Sequence, residues 1–270
     1  MPTLRNISNR IVAALIFFTR LPFWRLHLPP KDCYQSVVEY WPLTGWLTGG
    51  IMAATLYGVS LVAPYALAVI AAIVVRMLLT GALHEDGLSD FFDGFGGGHD
   101  RESILRIMKD SRVGNYGVLA TVVYLLSLFW TLYLLPATIA PWAIVAADPF
   151  CKMVSAELIM ILPYARTEEE SKAHVVYRPF SIAAGLSLAV QGLLPAIPLA
   201  SMLLGADGSQ GAQSGWDVYL LAIVPSLVMY ALYLLMRSKL KGYTGDCCGA
   251  TFLLTELTFY LTLLLHSTHS

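Results

Sequence analysis

The sequence predicts an all-α, polytopic integral membrane bundle, and three observations carry that prediction. Of 270 residues, 57% are hydrophobic and only 13% charged, against about 25% charged in an ordinary soluble domain. Mean hydropathy is +0.64. The apolar residues are gathered into segments of about 20, the length a helix needs to cross the hydrocarbon of a bilayer. A net charge of −1 leaves no basic excess to neutralise phosphates, so nucleic acid is excluded as a partner. The length fits one membrane-embedded domain over 1–270, with assembly into a homo-oligomer left open.

The first apolar stretch, IVAALIFF between Arg10 and Arg20, is too short to cross and predicts a short interfacial or re-entrant N-terminal helix, with Pro22, Phe23 and Trp24 at the boundary. No small-x-small cleavage pattern follows it, so it does not read as a signal peptide. Transmembrane helices are predicted at Leu43 to Ala63, Tyr65 to Leu83, Asn115 to Leu135, Trp142 to Leu162, Ser181 to Leu204, Val218 to Met236 and Ala250 to Leu265, about seven in all. Trp41, Trp46, Trp142 and Trp216 near span ends read as interfacial anchors.

Lysine and arginine fix the orientation. Arg5, Arg10, Arg20, Arg25 and Lys31 precede the first span; Arg101, Arg106, Lys109 and Arg112 follow the second; Arg166, Lys172 and Arg178 follow the fourth; Arg237, Lys239 and Lys241 follow the sixth. The connections around Pro64, Pro136 and GADGSQGAQSGWD carry none. The positive-inside rule then places the N-terminus, the acidic stretch after the second span and the KGYTGDCCGA loop in the cytoplasm. In a bacterial cell that means a multi-pass protein of the inner membrane.

Two cations fall inside predicted spans. Lys152 lies one turn after Asp148, with Glu157 further along, and reads equally as half of an intrahelical ion pair or as a cavity-lining group. Arg76 lies about two turns before Asp86 if that helix runs on. It is expected to contact an anionic group below the site, with Asp148 or Glu157 as the structural alternative.

The chemistry concentrates in HEDGLSDFFDGFGGGHD, residues 84–100. If the second helix continues through it, Asp90 is at i+4 and Asp93 at i+7 from Asp86, so three carboxylates share one face. Bare, they would repel; a divalent cation turns the repulsion into attraction. Aspartates without histidine or cysteine ligands suit a hard ion, Mg2+ or Mn2+. The alternative is a solvated acidic loop. Gly94, Gly96, Gly97 and Gly98 then end the helix in this reading and free backbone amides to approach a phosphate. The following RESILRIMKDSRVGNYG puts basic residues on an amphipathic helix that either holds an anionic substrate or meets lipid headgroups. Together these parts describe phosphoryl transfer.

The block GALHEDGLSDFFDGFGGGHDRESILRIMKDSRVGNYGVLA closely resembles the signature region of the cobalamin synthase family, the adenosylcobinamide-GDP ribazoletransferases. GYTGDCCGA resembles that family's C-terminal Thr-Gly-Asp segment, and FFTRLPFW and YWPLTGWLTGG also resemble family features. Phe91, Phe92, Cys247 and Cys248 depart from the pattern without removing a carboxylate.

The resemblance implies a reaction in which adenosylcobinamide-GDP is joined to α-ribazole or its 5′-phosphate, releasing GMP. It implies one or two Mg2+ ions at Asp86, Asp90 and Asp93, with Asp93 or Glu85 accepting the hydroxyl proton. Lys109 and Arg112 would neutralise the diphosphate, Asp110 would be an outer ligand, and Asp246 would complete the site from the far end of the chain. The alternative for Asp246 is a helix cap. Two other readings of the aspartates are a CDP-alcohol phosphotransferase of lipid synthesis and a cation transporter. The tight DGLSDFFDG spacing and the absence of a visible internal repeat weigh against each in turn.

Overall fold

Glycines and a single left-handed alanine decide how the helices turn and meet. The computed structural model describes residues 4–166, 176–205 and 216–269; Lys172 and most of the GADGSQGAQSGWD connection lie outside them. Twelve α-helices are described: α1 (Leu4–Phe18), α2 (Trp41–Ser60), α3 (Tyr65–Thr80), α4 (Leu83–Gly97), α5 (Arg101–Lys109), α6 (Asn115–Leu134), α7 (Ala140–Ala156), α8 (Leu158–Ile161), α9 (Ile182–Leu193), α10 (Ile197–Leu203), α11 (Trp216–Lys239) and α12 (Gly245–His269). Short 3-10 segments join several of them, notably Lys31–Tyr40 between α1 and α2. Among the described residues there is no strand, only an isolated bridge between Tyr164 and Tyr243.

The all-α membrane class stands. Four helical stretches are long and apolar enough to cross a bilayer: Asn115–Leu134, Ile182–Leu203, Val218–Lys239 and Gly245–Ser267. Their exposed residues, such as Leu119, Val123, Leu126 and Trp130 on α6 or Tyr219, Ile223, Leu227, Tyr230 and Leu234 on α11, recur at helical spacing and form a lipid-facing surface. The protein is therefore a multi-pass membrane protein. Length and hydropathy do not reproduce a count of seven. The predicted span from Trp142 breaks at Glu157 into α7 and α8, and α2 is long enough but falls below the hydropathy of a crossing helix.

The second predicted span does not run on into the acidic stretch. Gly81 (φ +66°) and Ala82 (φ +55°) are both left-handed, and α3 and α4 meet at 87°. Gly81 ends α3 through its N–H to Met77 O, and the Ala82 N–H reaches the same carbonyl at 2.8 Å. A Cβ on Gly81 would meet the Arg20 side chain, which is exposed and can move aside, so it is the positive φ that calls for glycine. Ala82 has no such excuse, and its left-handed turn costs about 1–2 kcal/mol that the packing on either side must offset.

At the centre stands α12. Of its apolar window, 61% of residues are buried, against 17–28% in the other three crossing helices. It packs on α4, α11, α7 and α6. The crossing with α4 is close because glycines lie at it: a Cβ on Gly87 would come within 3.1 Å of Asp246 Cα, and one on Gly249 within 3.4 Å of His84 Cα. Behind this pair, α2 packs on α7 through Gly45 and Gly49, whose faces lie against Asp148.

Candidate active site

The α4–α12 crossing brings together the two ends of the chain that carry polar motifs. Asp86 on α4 and Asp246 in the first turn of α12 both line a cavity of about 320 Å³. Thr244 caps α12, its hydroxyl oxygen accepting from Cys247 N at 3.3 Å. The cap expected of Asp246 is thus supplied two residues earlier, and Asp246 is left at the cavity wall. Phe17, Phe18, Trp41, His84, Tyr164, Arg166 and Tyr177 complete most of the rest of the wall.

The segment after α8 is held against the start of α12 by two backbone bonds, Ala165 N to Tyr243 O at 2.8 Å and Tyr243 N to Pro163 O at 3.0 Å. Gly242 permits this, since a Cβ there would lie 2.6 Å from Pro163 O. The segment is also clamped to α5. Arg166 donates to Leu105 O at 3.0 Å, and Arg101 donates to Leu240 O at 3.0 Å and Ala165 O at 2.6 Å. A second, basic groove of about 630 Å³ results, lined by Arg101, Arg106, Lys109 and Arg166. Tyr164 and Arg166 belong to both hollows. The α5 helix starts on a capping box in which Asp100 and Ser103 exchange bonds, which sets the angle at which its basic side meets the groove.

The register of the acidic stretch is helical, so Asp86, Asp90 and Asp93 do share a face of α4. Their surroundings differ. Asp86 is exposed at the cavity, Asp90 is half-buried and Asp93 is 7% exposed. Both Asp93 oxygens accept backbone N–H groups at the start of α6, from Gly114 at 2.7 Å and Gly117 at 2.8 Å. Asp93 thereby satisfies two donors that the helix leaves unpaired. Among the described residues, no group of three or more His, Cys, Asp or Glu side chains converges into a preformed metal cage. The cavity wall carries two hard carboxylates, Asp86 and Asp246, beside His84 and Cys248; carboxylates are the donor type Mg2+ takes when substrate phosphates supply its other ligands.

Other expected residues move away from the cavity. Gly94, Gly96 and Gly97 are inside α4, which ends at Gly97, so their amides are not a phosphate cradle. Two of them serve packing: a Cβ on Gly94 would strike Met108, and one on Gly96 would strike Tyr116. Gly98, the C-cap, is closed in by Ile104 and the Gly94 carbonyl. Arg76 contacts neither hollow; it pairs with Glu256, donates to Tyr124 Oη at 2.8 Å and lies 3.8 Å from Glu85. The expected partners Asp148 and Glu157 are not the ones found. Glu85 is buried on the Arg76 side and does not line the cavity. Lys152 forms the intrahelical pair with Asp148 at 2.5 Å and also donates to Thr48 at 2.8 Å.

At the end of α5, Lys109 lines the basic groove, whereas the exposed Arg112 just beyond the helix is paired with Asp110 at 2.7 Å. Side-chain and backbone hydrogen bonds from Arg112 hold the Asp110 carboxyl down at about 2, so the pair is ionised throughout the neutral range.

Sequence reasoning missed Trp41, Phe18, Tyr164 and Tyr177 as wall residues. Trp41 was expected at the membrane interface, yet it is 2% exposed and stacks on His84. Trp46 and Trp142, which are exposed, fit the anchoring expectation; the Trp216 side chain lies outside the described ones.

Comparison with known proteins adds an independent line. The profile of the family described as cobalamin-5-phosphate synthase matches residues 10–264. The adenosylcobinamide-GDP ribazoletransferase of Shewanella frigidimarina is 34% identical over 260 residues, covering 95% of this chain and 94% of its own. The protein of that name from Shewanella baltica is 35% identical over 94% of this chain and 92% of its own. The one from Leptospira interrogans is 31% identical over 97% of each. No solved structure matches the chain.

Proposed function

The chain belongs to the cobalamin-5-phosphate synthase family, and from that premise we propose that it transfers the cobinamide phosphate of adenosylcobinamide-GDP to α-ribazole or α-ribazole 5′-phosphate, releasing GMP. The ribazole 5′-hydroxyl attacks the phosphorus nearer the corrinoid. A new O–P bond forms, the P–O bond to GMP breaks, and the hydroxyl proton leaves to a carboxylate. The observation that carries this reading is the meeting of Asp86 and Asp246 in one cavity wall beside a basic groove.

The residues divide the work. Lys109, Arg106 and Arg166 along the groove offset the charge of the diphosphate and orient it. The carboxylates in the cavity wall, Asp86 and Asp246, are placed to take the proton, because Glu85 and Asp93 are turned elsewhere. Asp86 and Asp246 would hold one or two Mg2+ ions, with Asp90 and Asp93 continuing the acidic face of α4. When bound, Mg2+ or Mn2+ neutralises charge developing on the entering and leaving oxygens. The distribution of lysine and arginine supports a site on the cytoplasmic side of the inner membrane.

The test is direct. Purified protein in liposomes, given adenosylcobinamide-GDP, α-ribazole and Mg2+, is expected to release GMP and form the joined corrinoid in equal amounts. GMP release without the joined product, or no turnover by a folded preparation, would overturn the reading.

A further inference from the structure

Helix α11 is the least buried of the four crossing helices, with 17% of its apolar window buried, and three cations stand at its end. Arg237, Lys239 and Lys241 are all exposed, and among the described residues none of them is in an ion pair. One face of the helix leads up to them. Tyr230 and Tyr233 stack at 5.7 Å and 26°, and the Arg237 guanidinium lies 6.0 Å from the centre of the Tyr233 ring and donates to its hydroxyl at 3.2 Å. Tyrosines followed by an arginine mark where a crossing helix passes from hydrocarbon into headgroups.

Arg237 and Lys241, but not Lys239, line a hollow of about 460 Å³ whose other walls are Tyr233, Ile161, Leu162 and Pro163. It therefore carries cations at the α11 end and apolar side chains at the α8 end. Ile161 and its neighbour Met160 are each 47% exposed, so the apolar wall continues into surface of the kind that meets lipid. A soluble anion would use the cations alone. A phospholipid uses both, its phosphate on the cations and a chain along the wall.

Lys241 adds a second observation. It lies past the end of α11 in the left-handed region, φ +54°, a conformation that costs a lysine but not a glycine. Arg237 and Lys239, in the last turn, suit the negative end of the helix dipole on their own account. At 241 the ammonium is what the strained position offers in return. Pro163 and Lys241 also stand on the two backbone segments joined by Ala165 N to Tyr243 O and Tyr243 N to Pro163 O, the segments that carry Tyr164, Arg166 and Asp246 to the cavity.

We propose that this hollow holds the headgroup phosphate of an anionic phospholipid between Arg237 and Lys241, with an acyl chain along Ile161 and Tyr233, and that the bound lipid braces the paired segments leading to the cavity. The inference holds whichever reaction the cavity performs.

The probe is palmitoyl-oleoyl phosphatidylglycerol, with phosphatidylcholine of the same chains as the zwitterionic reference. Each is added to the full-length protein in a nonionic detergent, and bound lipid is counted by native mass spectrometry. Wild type is expected to bind the first phosphatidylglycerol about tenfold more tightly than phosphatidylcholine. Arg237→Gln/Lys241→Asn removes both cations and places at 241 a residue that tolerates a left-handed backbone; it should bring the preference below about twofold. Both side chains are exposed, so the double variant keeps its core. Arg237→Lys, which keeps the charge, should retain most of the preference, and Lys239→Gln, the loss of one charge outside the hollow, all of it. Amide hydrogen exchange at Ala165 and Tyr243 is the second readout. Phosphatidylglycerol should slow it about threefold or more in wild type and leave it unchanged in the double variant. Equal binding of the two lipids by wild type, an undiminished preference in the double variant, or an equal loss in Lys239→Gln would overturn the site. Displacement of the lipid by glycerol phosphate, which has the phosphate and no chains, would overturn it in favour of a soluble anion. Exchange at Ala165 and Tyr243 that ignores bound lipid would overturn the bracing.

Discussion

Arg76 and Glu256, 180 positions apart in the chain, are joined by a forked ion pair of 2.6 and 2.7 Å in which both side chains are buried. Tyr124 accepts from the same guanidinium and Tyr260 donates to the same carboxylate, at 2.8 and 3.0 Å. The pair ties the helix before the 87° bend to the helix that carries Asp246. It thus fixes where the two halves of the site meet, several residues away from either.

Removing one partner of a buried pair leaves the other charge uncompensated, which costs about 3–5 kcal/mol. Arg76→Met is therefore expected to lower the unfolding temperature in detergent sharply. The double variant Arg76→Met/Glu256→Met should recover most of the loss. A stable Arg76→Met protein with a raised KM for the corrinoid substrate would instead return Arg76 to the substrate-contacting role first expected of it.

The α4–α12 crossing has no room for a methyl group at its closest point. A Cβ on Gly87 would lie 3.1 Å from Asp246 Cα and 3.2 Å from its carbonyl oxygen, and backbone cannot swing aside as a long side chain can. Gly87→Ala is expected to cost about 1–3 kcal/mol by overpacking and to lower kcat more than tenfold by displacing Asp246. Gly50→Ala is the control, since a Cβ there meets nothing within 4 Å. Equal kinetics for the two variants would show that the crossing does not position the site.

Asp93 bridges Gly114 and Gly117 at the start of α6. Asp93→Ala leaves both N–H groups without that acceptor and is expected to cost about 1–2 kcal/mol. Asp93→Asn, which keeps one accepting oxygen, should lose roughly half as much. Amide hydrogen exchange over residues 114–118 reports the effect locally, and unchanged protection in Asp93→Ala would contradict the capping role.

The helical register of the aspartates was legible because it depends on neighbours in sequence; the Thr-Gly-Asp segment was singled out by its resemblance to the family, and the structure sets its aspartate at the cavity wall. The bend was not legible: Gly81 gives a hint, but an alanine at φ +55° has no local signature and is imposed by packing. The glycines after Asp93 were misread for a related reason. A glycine run signals a turn when only the chain is seen, yet here Gly94 and Gly96 make room for Met108 and Tyr116. The partner of Arg76 and the burial of Trp41 were likewise set by residues far along the chain. In an apolar sequence, a tryptophan at a helix start looks the same whether it meets lipid or lines a cavity.

Asp86 and Asp246 carry the last prediction, because they are the carboxylates that line the cavity. If a hard divalent ion joins them to the substrate phosphates, Asp86→Asn and Asp246→Asn keep the shape of the wall and remove one negative ligand each. The expected result is a fall in kcat of at least about 100-fold and a rise of about tenfold in the Mg2+ concentration giving half-maximal rate. Both substitutions keep the size of the side chain, so both variants should remain folded, and Asp86 is besides exposed at the cavity. Mn2+ should support turnover, because it shares the preference for oxygen ligands. Ca2+, larger and looser in its coordination, should support it poorly. Turnover that survives full chelation would remove the metal from this scheme and leave the proton-accepting role of the two aspartates. Loss of activity in both variants with an unchanged Mg2+ requirement would point to that same role.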